Sequence, residues 1–383
     1  MDPVSLKAHM DPDSGRPAKQ ARTSMPFNLT LQEFVRCTID EDSESLFDSI
    51  EQISLCNNDD VFEEHASKIL DTIRKCKNAK RFDMFDFETE FGGSESMGVN
   101  MILTALSECK KLETIQTDAW FDDPISGDAL IRVLTACPNL TDLMFNNFNV
   151  SEDTLAKLTE RTDLPKLQTI ILHEVEEPFS KNVSLLLDCF PSIKTFRYYQ
   201  EADECDCETI VMCSNIREFF LCKTMKESME SLDLVLRGTL IFSEAATLVE
   251  GLTTMERLKE LTMEFEDVNY DKNYRSYINF VSAFFSNLKI SAFRHLQEIR
   301  FILHEQEGRN KDKKYRKLIH AVRIMASFLD IRGVGALKRV TFEACPALYE
   351  YDQRTKDMLE NALLNSKQKF TIDWAEGEIK IGE

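Results

Sequence analysis

A chain of 383 residues is long enough for two ordinary domains or for one elongated repeat protein. Its 43% hydrophobic and 29% charged residues place it among globular proteins with material for a substantial core. No apolar run reaches the roughly 18 residues that a transmembrane helix needs. A net charge of −20 opposes general nucleic-acid binding, which relies on Lys and Arg displacing phosphate counterions, and suits the steering of a basic partner.

In chain order, Met1 to Arg22 is polar, rich in Pro and Asp, and lacks the apolar stretch of a secretory signal. Residues 1–25 are therefore expected to form a disordered polar tail, on a chain that resides in the cytoplasm, the nucleus or both. Eleven scattered cysteines, an odd number, agree with reduced thiols in such a compartment. Asn-x-Ser/Thr triplets beginning at Asn28, Asn139, Asn149 and Asn182 weigh less, because such triplets are common by chance. Residues 26–46 are expected to cap the array that follows.

From Phe47 onward, one template recurs, with apolar residues at positions 1, 4, 7 and 9. Phe47, Ile50, Ile53 and Leu55 fill it first, followed by Cys76, Ala79, Phe82 and Met84. Cys109, Leu112 and Ile115 come next, then Cys137, Leu140, Leu143 and Phe145. Leu164, Leu167, Ile170 and Leu172 are followed by Phe190, Ile193, Phe196 and Tyr198. The seventh match is Cys213, Ile216, Phe219 and Leu221, and the eighth Met255, Leu258, Leu261 and Met263. Phe293, Leu296, Ile299 and Phe301, then Val334, Leu337, Val340 and Phe342, complete ten. Starts lie 23–33 residues apart as far as Cys213 and near 40 thereafter.

Positions 7 and 9 have the two-residue period of a strand, and the segments between matches have helical period. Ser126, Ser151 and Ser243 are plausible helix N-caps. A strand and a helix with one buried face each are unstable singly; stacking them yields a parallel sheet on one side and helices on the other. Phe370 to Trp374 reads as a last strand closing the stack. Ser231 to Leu236, followed by Glu244 to Leu252, fits the template poorly and leaves open an eleventh, degenerate unit.

Cys137-Pro138-Asn139-Leu140, and Val150-Ser151-Glu152-Asp153 before Leu155, resemble the leucine-rich repeats of the ribonuclease-inhibitor-like type. The likeness is greatest to the cysteine-containing variety of F-box substrate receptors, and it covers roughly residues 47–374. It implies an α/β right-handed solenoid of about ten repeats, spanning residues 47–383 with longer repeats after 255. Its parallel sheet would be concave and its helices convex. Two departures stand: the usual Asn or Cys after the strand is mostly absent, and the last three units are long. Residues 26–46 also do not read as an F-box.

No phosphate-cradling loop, dinucleotide fingerprint, nucleophile elbow or zinc-protease motif occurs, and glycines number only twelve. No enzymatic activity, cofactor, metal ion or small-molecule ligand is therefore expected. Cys205, Cys207, Cys213 and Cys222 have no common zinc spacing. The basic run Arg309 to Lys317 reads first as a solvated loop entering a helix.

Position 8 faces away from the core. In units four to seven it reads Met144, Ile171, Arg197 and Phe220, where polar residues are the rule; position 10 adds His173 and Tyr199. Apolar, aromatic and Arg side chains on an open face are the material of interface hot spots. Met144, Ile171, His173, Arg197, Tyr199 and Phe220 are thus the candidate partner-binding residues. The leading functional expectation is a protein-interaction scaffold, with the F-box likeness implying substrate recognition for a ubiquitin ligase. The alternatives are a regulator of a GTPase or another enzyme, with Arg197 as its arginine, and RNA binding, which the net charge opposes.

Overall fold

The computed structural model describes residues 47–56, 59–88, 98–120, 125–146, 150–175, 181–200, 213–237, 240–266, 270–287, 294–303, 311–332, 335–344, 353–364, 366–373 and 378–381. The expected tail and cap, residues 1–25 and 26–46, lie outside them, as does Trp374.

The strands form one 12-stranded sheet. Ten run parallel in chain order: β1 (Gln52–Cys56), β2 (Arg81–Glu88), β3 (Thr114–Trp120), β4 (Asp142–Asn146), β5 (Thr169–Val175), β6 (Thr195–Gln200), β7 (Ser231–Arg237), β8 (Glu260–Glu266), β9 (Glu298–Leu303) and β10 (Arg339–Ala344). Between them lie the helices α1 (Asp59–Lys75), α2 (Gly98–Leu106), α3 (Gly127–Ala136), α4 (Glu152–Thr159), α5 (Lys181–Cys189), α6 (Cys213–Leu221), α7 (Lys223–Glu227), α8 (Phe242–Leu252), α9 (Tyr270–Asn287), α10 (Lys311–Arg332) and α11 (Gln353–Leu364). Each strand is thus returned to the same edge by a helical crossover, the arrangement parallel pairing requires.

Register is held by a repeating hydrogen-bond device just before each strand. The carbonyl of Glu113 accepts the N–H groups of Thr141 and Asp142, at 2.8 and 3.1 Å. That of Thr141 accepts from Gln168 and Thr169, and that of Gln168 from Lys194 and Thr195. The ladder continues through Lys194, Glu230, Lys259 and Gln297 to β10. These carbonyls all occupy position 5 of the template.

Positions 7 and 9 point into the core in every unit. Leu143 and Phe145, Ile170 and Leu172, and Phe196 and Tyr198 are all buried, as are their counterparts from Ile53 to Phe342. The position-1 thiols of Cys76, Cys109 and Cys137 are fully buried. Cys109 donates its S–H to the Ile73 carbonyl at 3.3 Å, one unit back. Burial pushes the Cys76 and Cys109 thiols up to about 12 and Cys137 to about 11, which leaves them inert packing groups. The long later units enclose an aromatic core around Phe301, which stacks on Phe342 at 5.3 Å and meets Phe280, Phe284 and Phe285 from α9. Helices of 18 and 22 residues supply the extra length there, against 8–10 in α2 to α5.

Three expectations are corrected. Cys213 to Leu221 is a helix, α6, and the seventh strand is β7, drawn from the segment read as a degenerate extra unit. The period of helix and template overlap: Ile216, Phe219 and Phe220 form an i, i+3, i+4 buried face, while Leu221, the template's ninth position, is 66% exposed. Among the described residues ten parallel strands therefore remain, with no eleventh, and the step from β6 to β7 is long while that from β7 to β8 is short. At the C-terminal end, β11 (Phe370–Asp373) closes the sheet as expected, pairing antiparallel with β12 (Glu378–Ile381), which lies between it and β10. Finally, α8 begins at Phe242, so Ser243 sits inside its first turn, and the Glu244 carboxylate accepts the Ile241 N–H at 2.9 Å. Ser126 and Ser151 hold N-cap positions as expected; the Ser151 side chain accepts the Thr154 N–H, whereas Ser126 makes no side-chain capping bond.

Candidate partner-binding face

With the odd positions of each strand committed to the core, positions 6, 8 and 10 are left on the face opposite the helices. The register aligns Met144 with Ile171, Ile171 with Arg197, and Arg197 with Asp233. Position 8 is therefore the expected ladder in every unit but the seventh. There Asp233 stands in place of Phe220.

The first three strands present a tightly paired polar network. The Asp83 carboxylate is 2% exposed, and its Oδ2 accepts from Gln52 Nε2 and Arg81 Nε, each at 2.8 Å. Arg81 also reaches the Gln116 amide oxygen at 2.7 Å. These side chains pair across three strands through Asp83 Oδ2, while Asp83 Oδ1 is buried without a hydrogen-bond partner among the described residues.

The next three strands change character. Met144 and Ile171 are half-buried neighbours. One step along, the His173 and Tyr199 rings stack at 4.0 Å with 17° between their planes. This flat contact is possible where the β5–β6 register shifts between Leu172 and Val175. Arg197 is exposed, its Nε 3.7 Å from Asp233 Oδ2, a looser pairing than that of Arg81 with Asp83. Burial, with the Asp233 and Glu264 carboxylates, pushes the Tyr199 phenol above its ordinary range, against the pull of Arg197.

Asp233 is the site residue that the template reading missed. Its carboxyl is 20% exposed, and Oδ1 is buried without a hydrogen-bond partner among the described residues. Desolvation pushes its pKa up to about 6, with Arg197 and Arg300 pulling it down and Glu264 pushing it further up. The strand alternation of Ser231-Leu-Asp-Leu-Val-Leu236 was the signal that could have placed it.

Of the six candidates, Met144, Ile171, His173, Arg197 and Tyr199 come together on this face. Phe220 does not: it lies 2% exposed on the helical side, its ring packed over Gly251 so closely that a Cβ there would sit 2.2 Å from a ring carbon. Cys222 is likewise buried, donating its S–H to Asp188 Oδ1 at 2.9 Å. Cys205 and Cys207, and the side chains of Cys213 and of Arg309 to Lys317, lie outside the described residues. Among the described residues no cluster of His, Cys, Asp or Glu is placed to hold a metal ion, and no helix is long and apolar enough to cross a membrane.

A parallel strand ladder with one helical crossover per repeat and buried position-1 cysteines defines the class of the molecule: an α/β leucine-rich-repeat solenoid with an open sheet face. No family model matches the sequence, and no curated protein does. Among solved structures, the chain is similar to the leucine-rich repeat-containing protein LegL7 from Legionella pneumophila. The two share 12% identity and a TM-score of 0.49, over 90% of this chain and 99% of that one. It is also similar to TLR13 in its complex with ssRNA13, at 14% identity and a TM-score of 0.36, over 79% of this chain and 40% of that one.

Proposed function

We propose that this chain is a non-enzymatic interaction scaffold that captures a partner protein on its open sheet face, at Met144, Ile171, His173, Arg197 and Tyr199. One observation carries the reading. On β4 to β6 half-buried apolar and aromatic side chains stand in register where the preceding strands carry hydrogen-bonded polar side chains, Gln52, Arg81, Asp83 and Gln116. Three strands at about 4.8 Å spacing cover roughly 10 Å, the width of an extended segment or a helix of a partner.

The finer version, substrate recognition for a ubiquitin ligase, draws its support from the cysteine-containing repeat pattern. Free buried thiols at Cys76, Cys109 and Cys137 fit the reducing cytosol or nucleus. Regulation of a GTPase is the weaker alternative, because Arg197 sits mid-strand facing Asp233 rather than at a strand–loop edge.

The test is affinity capture from a cell lysate, comparing the native chain with a Met144→Ala, Ile171→Ala, Tyr199→Ala variant whose circular dichroism and melting are unchanged. Partners lost by the variant support the reading, and a full set of retained partners overturns it. Cullin adaptors among the lost proteins would select the ligase version, and a GTPase the regulator.

A further inference from the structure

Beside the apolar stripe the open face changes sign. Among the described side chains of β6 to β8, three carboxylates, Asp233, Glu260 and Glu264, stand at open-face positions beside one guanidinium, that of Arg197, which Asp233 faces; Arg300 is the next cation on β9. Asp233 has one oxygen loosely paired with Arg197 at 3.7 Å and the other buried without a donor. Such a group, desolvated and half-satisfied, is costly in the free protein and gains from an incoming donor. Next to it the Tyr199 ring, backed by His173, offers an aromatic wall, a surface that attracts cations.

We propose, building on the reading of this face as a protein-binding surface, that its partner is an extended peptide segment with a Lys or Arg side chain. That cation would seat between the Tyr199 ring and the Asp233 and Glu264 carboxylates, with an apolar residue of the segment on Met144 and Ile171. Asp233 lies two strands from Ile171, roughly 10 Å, which an extended segment spans in about three residues.

Protonation of Asp233 removes half of this anchor. Its carboxyl, raised to about 6 chiefly by burial, is faced by Arg197 and Tyr199 of β6, Glu264 of β8 and Arg300 of β9. A bound cation favours the ionised form, so binding releases a proton and strengthens as the pH rises through about 6.

The experiment is selection of random nonapeptides displayed on phage against the full chain at pH 7.5. Winners are expected to carry Arg or Lys about three residues from an apolar residue. As synthetic peptides they should lose about tenfold or more in affinity to Asp233→Asn, a variant checked for an intact melt. Their binding should weaken between pH 7.5 and 5.5 in the native chain and in His173→Gln, the control for the nearby imidazole, but not in Asp233→Asn. Peptides indifferent to Asp233→Asn yet lost by Met144→Ala and Ile171→Ala overturn the cation anchor and leave the binding face standing. Peptides indifferent to every one of these changes, or no binding peptide at all, overturn both.

Discussion

Units four and seven hold equivalent places in the sheet and reach them by different routes. In unit four the Cys137-Pro138-Asn139-Leu140 turn closes with the Leu140 N–H on the Cys137 carbonyl at 3.2 Å. Cys137 packs beneath the neighbouring unit, and Met144 lies half-buried at position 8. Unit seven replaces that turn with an extra five-residue helix, α7, after its crossover helix α6, and returns through the Met229 N–H on the Thr224 carbonyl at 3.2 Å. Its position 8 is Asp233. Both units nevertheless hand a pair of N–H groups to the preceding position-5 carbonyl and bury positions 7 and 9. Sheet register thus depends on the carbonyl ladder and the inward pair, while the helical return varies in length and shape.

The sharpest way to break this comparison is Phe220→Ala. A core ring in α6 should cost about 3–5 kcal/mol in urea denaturation when truncated, whereas Met144→Ala on the open face should cost less than about 1. Equal, small effects would return Phe220 to the open face and dissolve the distinction between the units.

Next in size is Gly251→Ala. The new methyl would drive the Phe220 ring off its site, for a loss of about 1–3 kcal/mol. The loss should shrink in a Phe220→Leu background, where the side chain is smaller; an unchanged loss would mean that the two residues do not meet.

The smallest effects compare the buried carboxylates at position 8. The folded-state pKa of Asp233 lies above its ordinary value, so its favourable contribution is full below about 4 and is lost as the pH rises through about 6. Asp233→Asn, permanently neutral, should therefore gain on the native chain by about 1–3 kcal/mol between pH 4 and pH 7.5. Asp83→Asn should do the reverse at pH 7.5, losing about 1–2 kcal/mol, because its Oδ2 accepts two donors at 2.8 Å. The same sign for both in thermal melts at pH 7.5 would erase the contrast between the tightly and the loosely paired carboxylate.

Much of the architecture was legible in the residues. Nine of the ten strands follow from the template's inward positions, eight of them with an apolar pair, because burial of a two-residue period leaves a direct imprint on the sequence. The seventh was misplaced for a definable reason. Cys213, Ile216 and Phe219 are three residues apart, so they suit a helix as well as the repeat's first three apolar positions; only Phe220, adjacent and equally buried, distinguishes the two. The site followed suit: Met144, Ile171, His173, Arg197 and Tyr199 were readable from register, and Asp233 was hidden by the same slip. The His173–Tyr199 stack depends on a register shift between strands, and the antiparallel end on a reversal of direction; neither leaves a mark in hydrophobic periodicity.

The position-5 carbonyls have a consequence for how such a molecule could change over time or be rebuilt. Each accepts two N–H groups from the following unit, so each junction is a fixed hinge-free joint whatever the length of chain looped out behind it. Insertions behind the sheet are then tolerated without shifting the face in front, as the long later units illustrate. Three side chains per strand can be exchanged like sorts in a composing stick, and the recognition surface rewritten one rung at a time while the frame stays in place.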